Sequence, residues 1–163
     1  MYYEIARTLI ESGDVIALSH GGWTTRQEIE SEIVRMATRS TFSHVGICWV
    51  VGGRVFVLEA VVPKVRVFLL SGYQEFYWLP MRKPLSKEAL QLALSLAGQG
   101  YSRFEAVLSF FGIRMKDKLW SCAEYVKEVL SRNGVDISGD DTPSEVVKSC
   151  MGDFDAPLIR VRK

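Results

Sequence analysis

Cys122 follows Ser121 at the head of the run "SCAEYVKEVLSRNG", and Glu124 stands three residues after that serine. Ser-x-x-Glu is the capping-box spacing, which predicts Ser121 as a helix N-cap and Cys122 as the first helical residue. Free N–H groups and the positive end of the helix dipole favour a thiolate at such a position. The competing reading is a small buried residue beside Val126 and Val129, since free cysteine often packs as a hydrophobe. Nucleophilic catalysis also needs a base and a group to orient it. Candidates for both lie in "SHVGICWVVGGRVFVLEAV", an apolar stretch that carries His44 near its start and Glu59 near its end.

The backbone that would place those two side chains is a β-hairpin. With Gly52-Gly53 as a two-residue turn, Val51 faces Arg54, Gly46 opposes Glu59 and His44 opposes Val61. Alternation then puts His44, Gly46 and Glu59 on one face, with His44 and Glu59 as diagonal neighbours about 7–8 Å apart in backbone terms. Gly46 leaves no side chain between them, so a carboxylate can hold the imidazole in one tautomer. A satisfied polar pair at a sheet end is the plainer alternative. For the pair to serve Cys122, the cysteine helix is expected to pack across that same face. On this reading Glu59→Gln lowers turnover and spares the fold.

The other elements read as a frame for this hairpin. "GDVIAL" (Gly13–Leu18) is a short buried strand, and "VRVFLL" and "FYWLPM" are two more. "TTRQEIESEIVRMATRS" is helical, with Ile29, Ile33, Met36 and Ala37 on one face. Ser86 caps a helix that turns Leu90, Ala93, Leu94 and Ala97 inward, and "RFEAVLSFF" forms a shorter one. In "TPSEVVKSC", Thr142 is the N-cap, Pro143 occupies the first turn and Glu145 completes a capping box. "LIRVRK" closes the sheet. The sum is one α+β domain over residues 1–163, a mostly antiparallel sheet packed by helices.

Composition sets outer bounds. The chain has 163 residues, 48% hydrophobic and 24% charged, with Lys+Arg 20 against Asp+Glu 19. This is the profile of an ordinary globule, without the basic footprint of a nucleic-acid partner. The N-terminus lacks the basic and apolar regions of a signal peptide, and no apolar run is long enough for a transmembrane span. A cytoplasmic location is the default expectation. Three cysteines, Cys48, Cys122 and Cys150, are too few and too odd for a disulfide framework. Cys48 shares the His44 face of its strand but reads as core, and Cys150 reads as structural. No ligand-pair spacing among His20, His44, Cys48 and Cys122 supports a zinc site, so no metal or cofactor is expected. His20, in "SHGGW", is a loop histidine that would border a cleft after the first strand. Trp23, Tyr73, Tyr77, Trp78 and Trp120 read as core or cleft wall.

Taken in order, these segments resemble the circularly permuted papain-fold cysteine peptidases and amidases of the YiiX type, relatives of the NlpC-type cell-wall peptidases. "GDVIAL" is similar to the family's opening strand, "ATRSTFSHVGI" to its Ser-His segment, and "VFVLEAV" to its strand ending in Glu-Ala. "GQGY", "SCAEYV" and "TPSEVV" resemble its G-x-x-Tyr, its Cys-containing helix start and its late proline-led helix. The resemblance implies a permuted papain-like fold with Cys122 as nucleophile, His44 as base and Glu59 as third polar member, in the order permutation produces. It also implies Tyr101 at the substrate, where His20 is the other candidate from its place after the first strand. The family often has Asp after that tyrosine, where this chain has Ser102. The implied reaction is cleavage of an amide bond. A cell-wall (peptidoglycan) peptide is the first substrate, followed by an isopeptide or lipid acyl group. Reaching a cell wall without a signal implies another route, for instance as a component of a larger assembly such as a phage tail. A non-catalytic adaptor module of the same fold is the alternative.

Overall fold

The computed structural model describes residues 1–19, 42–61, 64–99 and 121–163. The expected helices over 24–40 and 103–111 lie outside these residues, as do His20, Tyr101, Trp23 and Trp120.

Among the described residues six strands form one antiparallel sheet: β1 (Val15–Leu18), β2 (His44–Val51), β3 (Arg54–Val61), β4 (Lys64–Leu69), β5 (Glu75–Leu79) and β6 (Ile159–Arg162). Their spatial order is β4-β3-β2-β1-β5-β6. Four described helices accompany them: α1 (Tyr3–Leu9), α2 (Lys87–Ser95), α3 (Cys122–Arg132) and α4 (Pro143–Gly152). The architecture is α+β.

The β2–β3 hairpin turns at Gly52 and Gly53, whose φ values of 58° and 71° suit a turn with positive φ at both central residues. Val51 pairs with Arg54, and the ladder runs back through Ile47↔Leu58 in the expected register. Alternation divides the sheet's side chains into two cores. Val15, Val45, Ile47, Leu58, Ala60 and Leu79 pack with Ala123, Val126 and Val129 of α3. Ile16, Leu18, Cys48, Val57, Phe76, Trp78 and Val161 form the other core, with Ala6 of α1.

Helix α3 carries the full capping box: Ser121 Oγ accepts from Glu124 N at 3.1 Å, and Ser121 N donates to Glu124 Oε2 at 2.9 Å. Helix α4 has Thr142 as N-cap and Pro143 in its first turn. Its box is incomplete, because the Glu145 carboxylate pairs with Lys148. Helix α2 is capped by Ser86 as expected, but its inward row differs. Ala89, Ala93 and Leu96 are buried, whereas Leu94 and Ala97 are exposed. The two alanines let α2 lie close against α3, where Tyr125 Oη donates to the Ala93 carbonyl at 3.1 Å. Helix α1 was not among the expected elements. It is one of the shortest, and it buries only Ala6 along its length.

Candidate active site

Glu59 is completely buried, and its two oxygens accept from three side chains on three segments. His44 Nε2 lies 2.7 Å from Oε2. The Tyr73 hydroxyl donates to the same oxygen at 2.6 Å, and Arg66 Nε donates to Oε1 at 2.8 Å. Each partner arrives by sheet geometry. Arg66 stands directly opposite Glu59 in the β3–β4 ladder. His44, the first residue of β2, pairs with Leu18 and shares its face. Tyr73 follows the 3₁₀ turn Leu70–Gly72 that ends β4.

Gly46 provides the space for this arrangement. A Cβ there would meet Val57 Cγ1 at 2.5 Å, the Glu59 Cβ at 3.3 Å and the Leu58 carbonyl at 3.3 Å. Any side chain at this position would push into the strand that carries Glu59.

The fourth group is Cys122, whose side chain is hydrogen-bonded to His44. The expected route to that contact is corrected here. Helix α3 packs on the Val45/Ile47 face, opposite to the His44/Glu59 face. The sulfur therefore meets the imidazole at the sheet end, where β2 begins and α3 starts, and not across the face. Cys122 is 6% exposed and His44 7%.

Electrostatics follow from this packing. Burial alone would push the His44 pKa down, but hydrogen bonds to Cys122 and Glu59, with their charges, outweigh it and raise it to about 10. Burial alone would raise the Glu59 carboxyl. Bonding to His44 and its charge, the Tyr73 phenol and the Arg66 charge together hold it below the ordinary value. Burial and the Glu59 charge push the Tyr73 phenol up, so it remains a donor. Both shifts follow from the 2.7 Å contact between the two side chains, which favours the charged form of each.

The remaining candidates lie elsewhere. Cys48 and Cys150 are fully buried, one in each core. Burial raises both thiols, Cys48 well above its usual range and Cys150 to about 12. Arg66 was not anticipated at the site, and Tyr73 only as core or cleft wall. Arg66 was legible in principle: an antiparallel β3–β4 pair with Val61 opposite Lys64 puts it opposite Glu59. Nothing local marks Tyr73 as the partner of a carboxylate.

No protein-family model matches this chain, and no curated protein does. Among solved structures it is similar to one described as "Crystal structure of metalloprotein yiiX from Escherichia coli O157:H7, DUF1105". The TM-score is 0.58 and the identity 21%, over 94% of this chain and 97% of that one. The likeness shows the fold, which is YiiX-like. That protein is described as a metalloprotein. Among the described residues no group of three His, Cys, Asp or Glu side chains stands together to hold a metal ion. The carboxylate at the centre already has a guanidinium on one oxygen, which opposes a second cation.

Proposed function

We propose that the chain is a thiol-dependent hydrolase of permuted papain-like type that cleaves an amide bond through Cys122, His44 and Glu59. The observation that carries this reading is one buried imidazole hydrogen-bonded to a helix-start cysteine and to a saturated carboxylate. With Nε2 on Glu59, Nδ1 is the ring nitrogen left for the sulfur.

The cycle follows from these positions. His44 holds the thiol proton while Sγ attacks the carbonyl carbon, forming a tetrahedral intermediate. The capping box engages the N–H groups of Ser121 and Glu124, not that of Cys122. The Cys122 N–H, at the positive end of α3, is the candidate donor to the oxyanion. Collapse breaks the C–N bond, and His44 delivers its proton to the leaving amine. Water then attacks the thioester, giving up a proton to His44 and releasing the acid as the thiol reforms. Glu59 stays ionised throughout and fixes the ring, as the aspartate does in serine hydrolases.

The resemblance noted in the sequence places a peptidoglycan peptide first among substrates, then isopeptides and lipid acyl groups. Among the described residues no helix is long and apolar enough to cross a membrane. The test is to incubate the protein and its Cys122→Ala variant with muropeptides, isopeptide-linked peptides and acyl esters. Products and intact protein mass are then followed. Turnover or an acyl adduct in the wild type alone supports the hydrolase. No product or adduct with any class, from a folded protein whose Cys122 resists alkylation, refutes it and favours the adaptor module.

A further inference from the structure

Glu59 is bridged, one oxygen to each side: Oε2 faces His44 and Tyr73, and Oε1 faces Arg66. The Arg66 guanidinium is pinned in turn. It is hydrogen-bonded to Tyr73, and its Cζ lies 4.3 Å from the centroid of the Phe68 ring. Phe68 and Tyr73 pack edge to face at 5.3 Å. The Arg66 side chain remains 29% exposed, while Glu59 has no exposure at all.

The charges in this cluster balance only when all four ionisable members are counted. The charged groups facing His44 and Glu59 come from β3 (Glu59), β4 (Arg66) and α3 (Cys122). One phenol also faces them, Tyr73 after the 3₁₀ turn, and the Glu59 charge reaches a second, Tyr125 of α3, from the other side of the sheet. An attacking thiolate beside an imidazolium adds no net charge, one negative and one positive. Glu59, which has no exposure, adds a further negative charge, and Arg66 cancels it. Without Arg66 the reactive state would carry a net buried charge of minus one, which low-dielectric surroundings resist.

We propose that Arg66 is a positioning residue that clamps Glu59 through Oε1 and balances its charge, so that the imidazolium–thiolate pair of His44 and Cys122 forms without net buried charge. This rests on the thiol-hydrolase reading. A purely architectural role, tying β3 to β4, would affect stability alone. The charge-balance role also sets the pH at which Cys122 becomes reactive.

The experiment measures the rate of iodoacetamide labelling of Cys122 by mass spectrometry from pH 5 to 10. The full-length wild type is compared with Arg66→Met, Arg66→Gln and Arg66→Lys, each checked by circular dichroism. In the Met and Gln variants the half-maximal pH should rise by about one unit, with labelling on the acid side about tenfold slower. Arg66→Lys, which keeps the charge, should restore the wild-type midpoint. Arg66→Gln keeps a donor for Oε1 and serves if the methionine variant does not fold. Folded Met or Gln variants with the wild-type midpoint overturn the inference, whatever their melting temperatures. If wild-type Cys122 is not labelled ahead of Cys48 and Cys150, the hydrolase reading fails together with this inference. That outcome shows in the wild-type arm alone, so the two failures are distinguishable.

Discussion

Glu59→Gln is the substitution that most directly probes the buried cluster. The sequence suggests that it spares the fold, because the side chains are nearly isosteric. The structure predicts otherwise. Glutamine keeps the volume but removes a charge that accepts from His44, Tyr73 and Arg66. Raising His44 from 6.5 to about 10 against the opposing effect of burial corresponds to a net of on the order of 5 kcal/mol in favour of the imidazolium, to which Glu59 and Cys122 both contribute. Glu59's part is then roughly 2–3 kcal/mol, and a stranded, partly solvated guanidinium adds about 1 kcal/mol more. The expected loss is about 3 kcal/mol, in line with breaking one side of a buried pair. The pH dependence has a definite sign on each flank. A raised histidine contributes stability that is complete below its unfolded value of 6.5 and is lost as pH rises through about 10. A depressed carboxyl contributes stability that is present above its unfolded value of 4.5 and is lost as pH falls through its folded value. The difference between wild type and variant should therefore peak between pH 4.5 and 6.5. It should shrink toward pH 10.5 and toward pH 3, about half a unit beyond the raised histidine and well below the carboxyl's usual range. Urea unfolding at several pH values measures it, because groups common to both proteins cancel in the difference. NMR should also show the His44 ring titrating far lower in the variant, where burial is no longer opposed. A variant as stable as wild type at pH 6, or a gap that does not narrow by pH 10.5, refutes this reasoning.

Further outcomes follow from the same geometry. Cys122 should be the first of the three thiols labelled by iodoacetamide near neutral pH, since burial raises Cys48 and Cys150 and shields both; peptide mapping showing either of them modified first would contradict this. Cys122→Ala should abolish hydrolysis and cost about 0.5–3 kcal/mol by urea unfolding, because the sulfur is small but packed. Ser121→Ala should cost about 1 kcal/mol by removing the cap on Glu124 N, and it should slow Cys122 labelling if the helix start positions the sulfur. Tyr73→Phe should cost roughly 1–2 kcal/mol by removing one donor from Glu59, with unchanged melting as the contrary result.

Much of this protein is written in local sequence. The Gly52-Gly53 turn and strict alternation on either side determined the hairpin register, and with it the shared face of His44, Gly46 and Glu59. Ser121 and Glu124 determined where α3 starts, and so where Cys122 sits on it. These are short-range facts, governed by backbone dihedrals and the two-residue period of a strand. Which face of the sheet a helix covers is a different kind of fact. Helix α3 could have packed on either apolar face, and the larger row of Val45, Ile47, Leu58 and Ala60 with α2 and α4 above it decided the matter. That choice moved the meeting of sulfur and imidazole to the sheet end. The inward row of α2 was likewise set by how closely its alanines approach α3, not by its own periodicity. Tyr73 and Arg66 complete the carboxylate's shell because the chain after β3 folds back beside it. No spacing within either segment encodes that Glu59 would be sealed from water. Its burial, and therefore its demand for three donors, exists only once the tertiary structure has closed around it.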